Sequence, residues 1–456
     1  MPKGRWCAAA IALAACAGSY APPAQMPAAS AGAREPASRT PIRHVVLVIQ
    51  ENRTFNDFFA TFPGADGTTK ATIEAYSPCD IARTQTIALK ETTLITPRDL
   101  DHTYVGYATA RNGGQMNGFD KIDYGNGVPE CTYPYQYTNP DQIEPYWIMA
   151  KTYALAEHMF TVQGSSSFTA HQDLIAGGTV IAPNEALVDL PSCSGSTCIW
   201  GCDAPKGTVT SLITQNDDFQ PGKGPFPCLS YATLRDLLDR KHVSWRYYVP
   251  PMCCNTFGKL MSAFDAIKAV RYGPEWTDGH ISTPQTNIFS DITKQKLQSV
   301  SWLIPDENDS DHPGTHFDTG PSWVTSVVNA IGQSSYWKTT AIVIVWDDWG
   351  GLYDNLNPPQ VGYGGLGFRV PAIVVSAYAK PHHIAQTHYD FGSILKFIED
   401  NWDLGTLGGS DKNAASIGDC FDYSQKPIAF SPIPSKYPLA YFLRRKPSYL
   451  PVDTDL

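Results

Sequence analysis

The chain has 456 residues, of which 43% are hydrophobic and 12% aromatic, so it is long and apolar enough for one large α/β domain or two smaller ones. Its formal net charge of −10 argues against wholesale nucleic-acid binding, which needs a basic face. Only 17% of the residues are charged, while glycine and proline number 36 each, a combination that fits a loop-rich exported protein.

The amino terminus has the pattern of an export signal. Lys3 and Arg5 precede an apolar run at 8–15 that is too short to span a bilayer. We predict the signal at 1–16, because the sequence Leu-Ala-Ala-Cys that ends at Cys16 resembles a bacterial lipobox, in which the cysteine is lipidated. An ordinary cleaved signal with an incidental cysteine is the alternative. Residues 17–40, rich in alanine and proline, predict a flexible tether, and 41–456 one soluble domain.

Strands and helices are predicted to alternate along this domain. Apolar runs predict strands at 44–50, 243–248, 300–304, 340–346 and 370–377. Helical spacing of apolar residues predicts helices at 146–160, 170–176, 231–241, 322–331 and 391–401. Such alternation implies an α/β fold with a mainly parallel sheet covered by helices on both faces. Segments 193–224 and 252–283 are predicted to be insertions outside that core.

Two adjacent carboxylates follow the predicted strand at 340–346, whose five consecutive apolar residues indicate burial on both faces. Asp347 and Asp348 stand where this strand should end, and Gly350 and Gly351 follow them. Neighbouring side chains on a strand point to opposite faces, so the two acids can share a site only where the backbone leaves strand geometry, as glycine permits. Ligands of open α/β sheets bind outside the carboxyl ends of the strands, so the pair predicts a cation or proton-transfer site. A solvated turn with unpaired acids is the alternative.

Other strand ends and helix starts also carry ionisable or nucleophilic residues. They are Glu51-Asn52, the serines at 165–167, Asp311-His312 and, as a further candidate, His102. One parallel sheet would place such groups along a single edge. Oxygen donors suit a hard or borderline divalent cation, which would lower the pKa of a nearby serine and hold a phosphoryl oxygen. Each element has a structural alternative: a serine that caps a helix, or a core histidine satisfied by Asp99 or Asp101.

Nine cysteines follow Cys16, and export makes disulfides the expected state. Four of them cluster in a Gly/Ser/Pro-rich stretch: Cys193, Cys198, Cys202 and Cys228. Zinc binding is the alternative, but no histidine stands at ligand spacing within the cluster. The odd count leaves at least one thiol free or intermolecular. The remaining cysteines are Cys79, Cys131, Cys253, Cys254 and Cys420.

Several short motifs, taken in chain order, resemble the bacterial phosphoesterase family, which contains phosphatidylcholine-hydrolysing phospholipases C and a branch of metal-dependent acid phosphatases. The matching segments are Glu51-Asn52-Arg53-Thr54-Phe55, 114–119, 201–203, Asp311-His312-Pro313, 346–354 with Pro358-Pro359, and Phe368-Arg369-Val370-Pro371. They run from about His44 to Tyr423, most of the predicted domain. Each motif is weak alone, and the ordered set is specific.

The resemblance implies a three-layer α/β/α fold like that of alkaline phosphatase and hydrolysis of a phosphate ester through a serine phospho-enzyme. It assigns the metal ligands to Glu51, Asn52, Asp347 and Asp348, with the divalent ion unidentified. It also assigns the nucleophile to Ser167, with Ser166 as the alternative, and phosphate contacts to His102 and His312.

The chain departs from the family pattern at several positions. Asn355 replaces a histidine, so one expected phosphate or proton-transfer group is missing, and Asp354 beside it could instead cap the Pro358-Pro359 turn. Thr169-Ala170-His171 replaces the frequent Pro-Asn-Arg, which puts an arginine contact in doubt. Asp348 stands where phospholipases more often carry glutamate, which tilts the prediction slightly toward the acid-phosphatase branch. Other changes are Asn56, Asn117 and Ala60.

The sequence therefore predicts an exported hydrolase of phosphate esters, of phospholipase C or acid phosphatase type. Its expected partner is a phospholipid or small phosphate-ester substrate, without nucleic acid, and no protein partner is inferred. Membrane contact is expected through a lipid anchor or the substrate, in the periplasm, at the outer membrane or after secretion. The alternative is a degenerate, surface-anchored binding protein on the same scaffold. A sulfatase-like relative is disfavoured, because no Cys/Ser-x-Pro-x-Arg run stands near Ser167.

Overall fold

The structure is a computed structural model that describes residues 36–192, 199–252 and 261–448. The predicted signal with Cys16, the tether as far as residue 35, and Cys193, Cys198, Cys253 and Cys254 lie outside the described residues. Among the helices that are described, none combines the length and the apolar character needed to cross a membrane.

The strands range from two to seven residues. In chain order they are β1 (His44–Gln50), β2 (Lys70–Ile73), β3 (Gln85–Ala88), β4 (Lys90–Thr92), β5 (Gln136–Thr138), β6 (Ala154–Ala156), β7 (Met159–Phe160), β8 (Val180–Ala182), β9 (Glu185–Val188), β10 (Ser211–Ile213), β11 (Phe219–Gln220), β12 (Trp245–Tyr248), β13 (Ile281–Ser282), β14 (Val300–Leu303), β15 (Thr340–Trp346), β16 (Ala372–Ser376), β17 (His383–Ala385) and β18 (Tyr389–Asp390).

The α-helices lie mostly between these strands. They are α1 (Phe55–Phe59), α2 (Tyr104–Arg111), α3 (Glu144–Thr152), α4 (Ser167–Ala176), α5 (Leu234–Arg240), α6 (Lys268–Arg271), α7 (Asn287–Thr293), α8 (Gly320–Gly332), α9 (Phe391–Trp402) and α10 (Leu439–Arg444). Short 3-10 turns connect several of them.

The main sheet has the strand order β13-β12-β14-β1-β15-β16-β6-β17. The pairs from β13 to β15 are parallel, and β6 and β17 are parallel to each other. Only β16 runs antiparallel to its neighbours within this sheet. The central strands β1 and β15 are apolar, rich in branched residues and buried along almost their whole length, as strands covered on both faces must be.

Helices form two groups around the sheet. One group consists of α4, α5 and α9, which pack on one another, and the other consists of α3, α7, α8 and α10. The architecture is the three-layer α/β/α arrangement with a mainly parallel sheet that the sequence predicts.

One predicted element is wrong in its second half. The helix predicted at 146–160 ends at Thr152, and β6 and β7 follow it. Ala154–Ala156 is fully buried in the main sheet between β16 and β17. A short buried strand is apolar at every position, so its side chains also satisfy a helical spacing, and periodicity alone does not separate the two.

Within the described ranges, smaller sheets and two disulfides hold the loops outside the core. Strands β11-β10-β9-β8 form an antiparallel sheet, and β13, from the second predicted insertion, pairs with β12 at the edge of the main sheet. Disulfides join Cys79 to Cys131 and Cys202 to Cys228, as export-type cysteines predict. Cys420 is buried and is not in a disulfide. The predicted domain boundaries and insertions stay predictions.

Candidate active site

Three adjacent parallel strands, β14, β1 and β15, end at one edge of the main sheet. Val48 pairs with Leu303, and Gln50 pairs with Trp346, the last residue of β15. The chains then leave the sheet side by side. The amide of Asp347 donates to the carbonyl of Gln50 at 2.9 Å, and the amide of Glu51 donates to that of Ser310 at 2.8 Å. The strand register thus delivers the predicted acids to a common edge.

Asp347 and Asp348 are both fully buried and accept hydrogen bonds from different donors. Asp347 Oδ1 accepts from the backbone amides of Asn52 at 3.0 Å and of Asp348 at 2.8 Å. Asp348 Oδ1 accepts from the amide of Gly350 at 2.9 Å, and its Oδ2 accepts from Ser167 Oγ at 3.0 Å. The alternative of a solvated turn is therefore wrong, because neither side chain reaches solvent.

The side-chain amide of Asn52 lies between the acids and two histidines. Its nitrogen faces Asp347 Oδ1 at 3.2 Å and Glu51 Oε2 at 3.1 Å when the amide is assigned to satisfy its neighbours. Its oxygen then accepts from His102 Nε2 at 3.0 Å and His312 Nε2 at 3.2 Å. Asn52 brings all four side chains together. Its predicted role as a metal ligand requires the opposite orientation, with the oxygen toward the acids.

Both histidines are oriented by backbone carbonyls. His102 Nδ1 lies 2.6 Å from the oxygen of Leu100, and His312 Nδ1 lies 2.5 Å from the oxygen of Pro313. A carbonyl only accepts, so each Nδ1 carries a hydrogen; each Nε2 that donates to Asn52 carries one too. With Asn52 in this orientation each ring carries a hydrogen on both nitrogens, whereas in the opposite orientation the amide nitrogen of Asn52 donates to His102 Nε2. Asp99 Oδ1 is 3.8 Å from His102 Nδ1, so the carbonyl, rather than that acid, holds the ring by a hydrogen bond.

The three predicted serines take different positions at the start of α4. Ser165 Oγ accepts from the amide of Asp189 at 2.7 Å and from Thr169 Oγ1 at 2.6 Å, within a structural network. Ser166 occupies the N-cap position without a capping side-chain bond, and its buried Oγ has no hydrogen-bond partner among the described residues. Of these three serines in the described structure, only Ser167, the first residue of the helix, donates a hydrogen bond to an acid that follows β15.

His171 is a site residue that the sequence argument missed. It is buried on α4, one helical turn after Ser167, and its Nε2 lies 3.0 Å from Glu51 Oε1 and 3.6 Å from Asp347 Oδ2. Residues four apart share a helix face, so the Ser167–His171 spacing was the signal that could have found it.

Glu51, His171 and Asp347 form a group whose donor atoms all lie within 4.8 Å of one another. Burial, and next the nearby negative charge of Glu51, raise the pKa of Asp347 to about 7. Its Oδ2 is buried and has no hydrogen-bond partner within the described part of the chain. Clustered buried carboxylates with an unsatisfied oxygen are a donor set that suits a divalent cation.

Hydrogen bonds fix the position of Asp311, the residue that precedes His312. Its Oδ2 accepts from Tyr146 Oη at 2.6 Å and from Gln50 Nε2 at 3.2 Å, and its carbonyl accepts from Arg53 Nε at 2.8 Å. Its backbone has a positive φ of 72°, so these contacts hold an unusual turn in place. Burial raises the pKa of Asp311 to about 6.

Known proteins resemble this chain over most of its length. The model of the phosphoesterase family matches residues 42–405. Phospholipase C A of Mycobacterium tuberculosis is 25% identical over 471 residues, which cover 91% of this chain and 84% of that protein. Non-hemolytic phospholipase C of Pseudomonas aeruginosa is 23% identical over 425 residues, which cover 83% of this chain and 56% of that protein.

Among solved structures, a protein in the alkaline phosphatase superfamily from Vibrio parahaemolyticus is similar with a TM-score of 0.38 and 10% identity, covering 85% of this chain and 74% of that one. A score this low supports no conclusion. The match to the family model, by contrast, spans well over half of the chain and confirms the family predicted from the motifs. This chain belongs to the phosphoesterase family, whose members are hydrolases that act on phosphoric ester bonds.

Proposed function

We propose that this protein hydrolyses phosphate esters through a phosphoserine intermediate on Ser167. The observation that carries the proposal is the contact between Ser167 Oγ and Asp348 Oδ2 at 3.0 Å, which joins the start of α4 to the carboxylate edge of the sheet. A hydroxyl at the first turn of a helix also gains from the positive end of the helix dipole as negative charge develops on it.

In the first step Ser167 Oγ attacks phosphorus and passes its proton to Asp348 Oδ2. The bond from phosphorus to the leaving oxygen breaks as the bond from Oγ to phosphorus forms. His102 or His312 then gives its Nε2 proton to the leaving oxygen, which departs as an alcohol. In the second step water attacks phosphorus and loses a proton to the histidine, and Ser167 recovers its proton from Asp348 as inorganic phosphate leaves.

A divalent cation would be held by Glu51, Asp347 and Asp348, and by Asn52 with its amide oxygen turned toward the acids. When bound, such an ion supplies positive charge that polarises a phosphoryl oxygen and lowers the pKa of a nearby hydroxyl. The buried, unsatisfied Oδ2 of Asp347 supports this assignment, because desolvating several carboxylates is unfavourable without a compensating charge.

The test replaces one serine at a time. Ser167→Ala should lower the hydrolysis of para-nitrophenyl phosphate or a phosphorylcholine ester by about 10³-fold or more, since it removes the nucleophile. Ser166→Ala is the matched control, because Ser166 is equally buried but makes no hydrogen bond to the acids within the described structure. Wild-type rates in Ser167→Ala would make the assignment wrong, and loss only in Ser166→Ala would move it to that residue.

Two features bear on the substrate. The relatives named phospholipase C favour a phospholipid diester, whereas Asp348 in place of the more common glutamate favours a small monoester. A panel that compares phosphatidylcholine with para-nitrophenyl phosphate, with and without chelator, decides between them. Inactivity on the whole panel with several divalent ions would instead support the alternative of a binding protein on a degenerate scaffold.

We also propose that the chain is exported, on the basis of Lys3, Arg5, the apolar run and Cys16. Mass spectrometry of the mature amino terminus tests this proposal. A lipid on Cys16 would support a lipoprotein, cleavage elsewhere an ordinary secretion signal, and an intact Met1 in the cell would contradict export.

A further inference from the structure

We infer that His171 is a nitrogen ligand of the cation, at a position where the family pattern carries arginine. The inference rests on the proposed function and deepens it. The site would then prefer a borderline ion such as Zn²⁺ to the hard ions Mg²⁺ and Ca²⁺, because imidazole nitrogen suits the former and an all-oxygen set the latter.

The distances fit ligands of one ion. His171 Nε2 lies 3.0 Å from Glu51 Oε1 and 3.6 Å from Asp347 Oδ2. Bonds of about 2.0–2.2 Å to a zinc ion place neighbouring nitrogen and oxygen ligands roughly 3–3.6 Å apart. The nitrogen thus already lies at such separations from an oxygen of each acid, and the donor atoms of the three residues all lie within 4.8 Å of one another.

An unsatisfied carboxylate oxygen in the site also supports the inference. A hydrogen bond from His171 Nε2 to Glu51 accounts for one short contact, but it leaves Asp347 Oδ2 buried with no hydrogen-bond partner among the described residues. A cation between the three donors would satisfy both acids at once. His102 and His312 are engaged instead with Asn52, so the chain uses its histidines in two separate ways.

The helix explains why the substitution matters. All residues of α4 are buried, and the four-residue spacing aligns His171 with Ser167 on the face toward the sheet edge. An arginine at this position has five donors and no acceptor, so it contacts phosphate but does not ligate a metal. Histidine at the same place offers a ligand atom instead.

The experiment compares metal-free wild type with His171→Gln in calorimetric titrations with Zn²⁺ and with Mg²⁺. Glutamine keeps a hydrogen-bond donor for Glu51 but offers only an amide oxygen as a ligand. We expect the Zn²⁺ affinity to fall by about tenfold to a hundredfold and the preference for Zn²⁺ over Mg²⁺ to become smaller. His280→Gln, at a half-exposed histidine beside Asp278, is the control and should bind Zn²⁺ like wild type.

A second measurement detects the ligand nitrogen directly. Wild-type protein loaded with Mn²⁺ and labelled with ¹⁵N-histidine should show a nitrogen hyperfine coupling in pulsed EPR that disappears in His171→Gln. Unchanged Zn²⁺ affinity in that variant, or no nitrogen coupling in wild type, would overturn the inference. Circular dichroism and the melting temperature of each variant show that it is folded.

The two proposals fail separately. If Ser167→Ala abolishes hydrolysis while His171→Gln binds Zn²⁺ normally, the phosphoserine mechanism stands and the nitrogen ligand does not. If Ser167→Ala is fully active while His171→Gln loses Zn²⁺, the reverse holds. Asp347→Asn is the positive control, because it should lose the ion whichever role His171 has.

Discussion

Arg369 and Asp354 form an ion pair whose two side chains are both fully buried. Arg369 Nε donates to Asp354 Oδ1 at 3.0 Å, and its Nη2 donates to Asn355 Oδ1 at 2.8 Å. Asp354 also accepts from the amides of Asn56 and Leu356. Asn355, where a catalytic histidine was expected, thus has a structural role beside Arg369, and Asp354 ties three segments together rather than capping a single turn.

Removal of the cation of this pair should be costly. Arg369→Met leaves the Asp354 carboxylate buried without its charge partner, so we expect the free energy of unfolding to fall by about 3–5 kcal/mol. Denaturant unfolding measures the change. Arg39→Met, in an exposed pair with Asp403, is the control and should cost less than about 1 kcal/mol. Equal effects of the two variants would show that burial does not decide the strength of the Arg369 pair.

At the scale of an element, the turn after β15 directs the two acids to different neighbours. Gly350 has a φ of 57°, and a Cβ built on it would lie 2.4 Å from the carbonyl oxygen of Asn52. The chain can therefore bend back over Asn52 only with glycine here. The bend turns Asp348 toward Ser167, while Asp347 faces Glu51 and His171.

Gly350→Ala should consequently displace Asn52 and disturb both halves of the site. We expect a loss of about 1–3 kcal/mol in stability from the strained backbone, with weaker metal binding and slower hydrolysis. Gly127→Ala is a matched control, because Gly127 has a similar φ of 69° but a Cβ there would meet no atom of the described residues within 4 Å. A Gly350→Ala protein that keeps wild-type metal affinity would show that Asn52 tolerates the shift.

The positions of most core strands and helices could be predicted from the sequence, whereas the contacts between distant elements could not. The apolar strands that end in Glu51 and Asp347 were predicted, because burial on both faces and a polar strand end leave a clear pattern. The antiparallel direction of β16 was not, since strand direction depends on the connection and not on the strand's own residues. His171 escaped notice because its role depends on a helix face that meets Glu51, 120 positions earlier in the chain.

Across the whole molecule, several carboxyl groups are buried in the protein interior, where burial disfavours their ionised form. Burial raises the pKa of Asp189 to about 7 and that of Asp309 to about 7, even though Asp309 pairs with Arg445. In the unfolded chain such groups titrate near pH 4. Between these values the folded protein holds protons that the unfolded chain has released, so its stability must depend on pH.

The sign of this dependence follows from proton linkage. Since the folded state binds more protons between about pH 4 and pH 7, raising the pH through this window should lower the free energy of unfolding, by about 1.4 kcal/mol per pH unit for each such group. The share of Asp189 and Asp309 in this decline should end above pH 7. Denaturant unfolding at pH 5, 6, 7 and 8, with chelator to exclude metal effects, measures the slope.

Asp189→Asn removes one of the titrating groups. The free energy of unfolding should therefore fall less steeply between pH 5 and pH 7, by the amount that Asp189 contributes. Asp403→Asn, at an exposed position, should leave the slope unchanged. A steep slope that persists in Asp189→Asn would mean that the folded protein releases this proton at much lower pH. The hydrogen bonds from the Tyr104 amide and Ser165 Oγ, which favour the ionised form, would then outweigh the burial of Asp189.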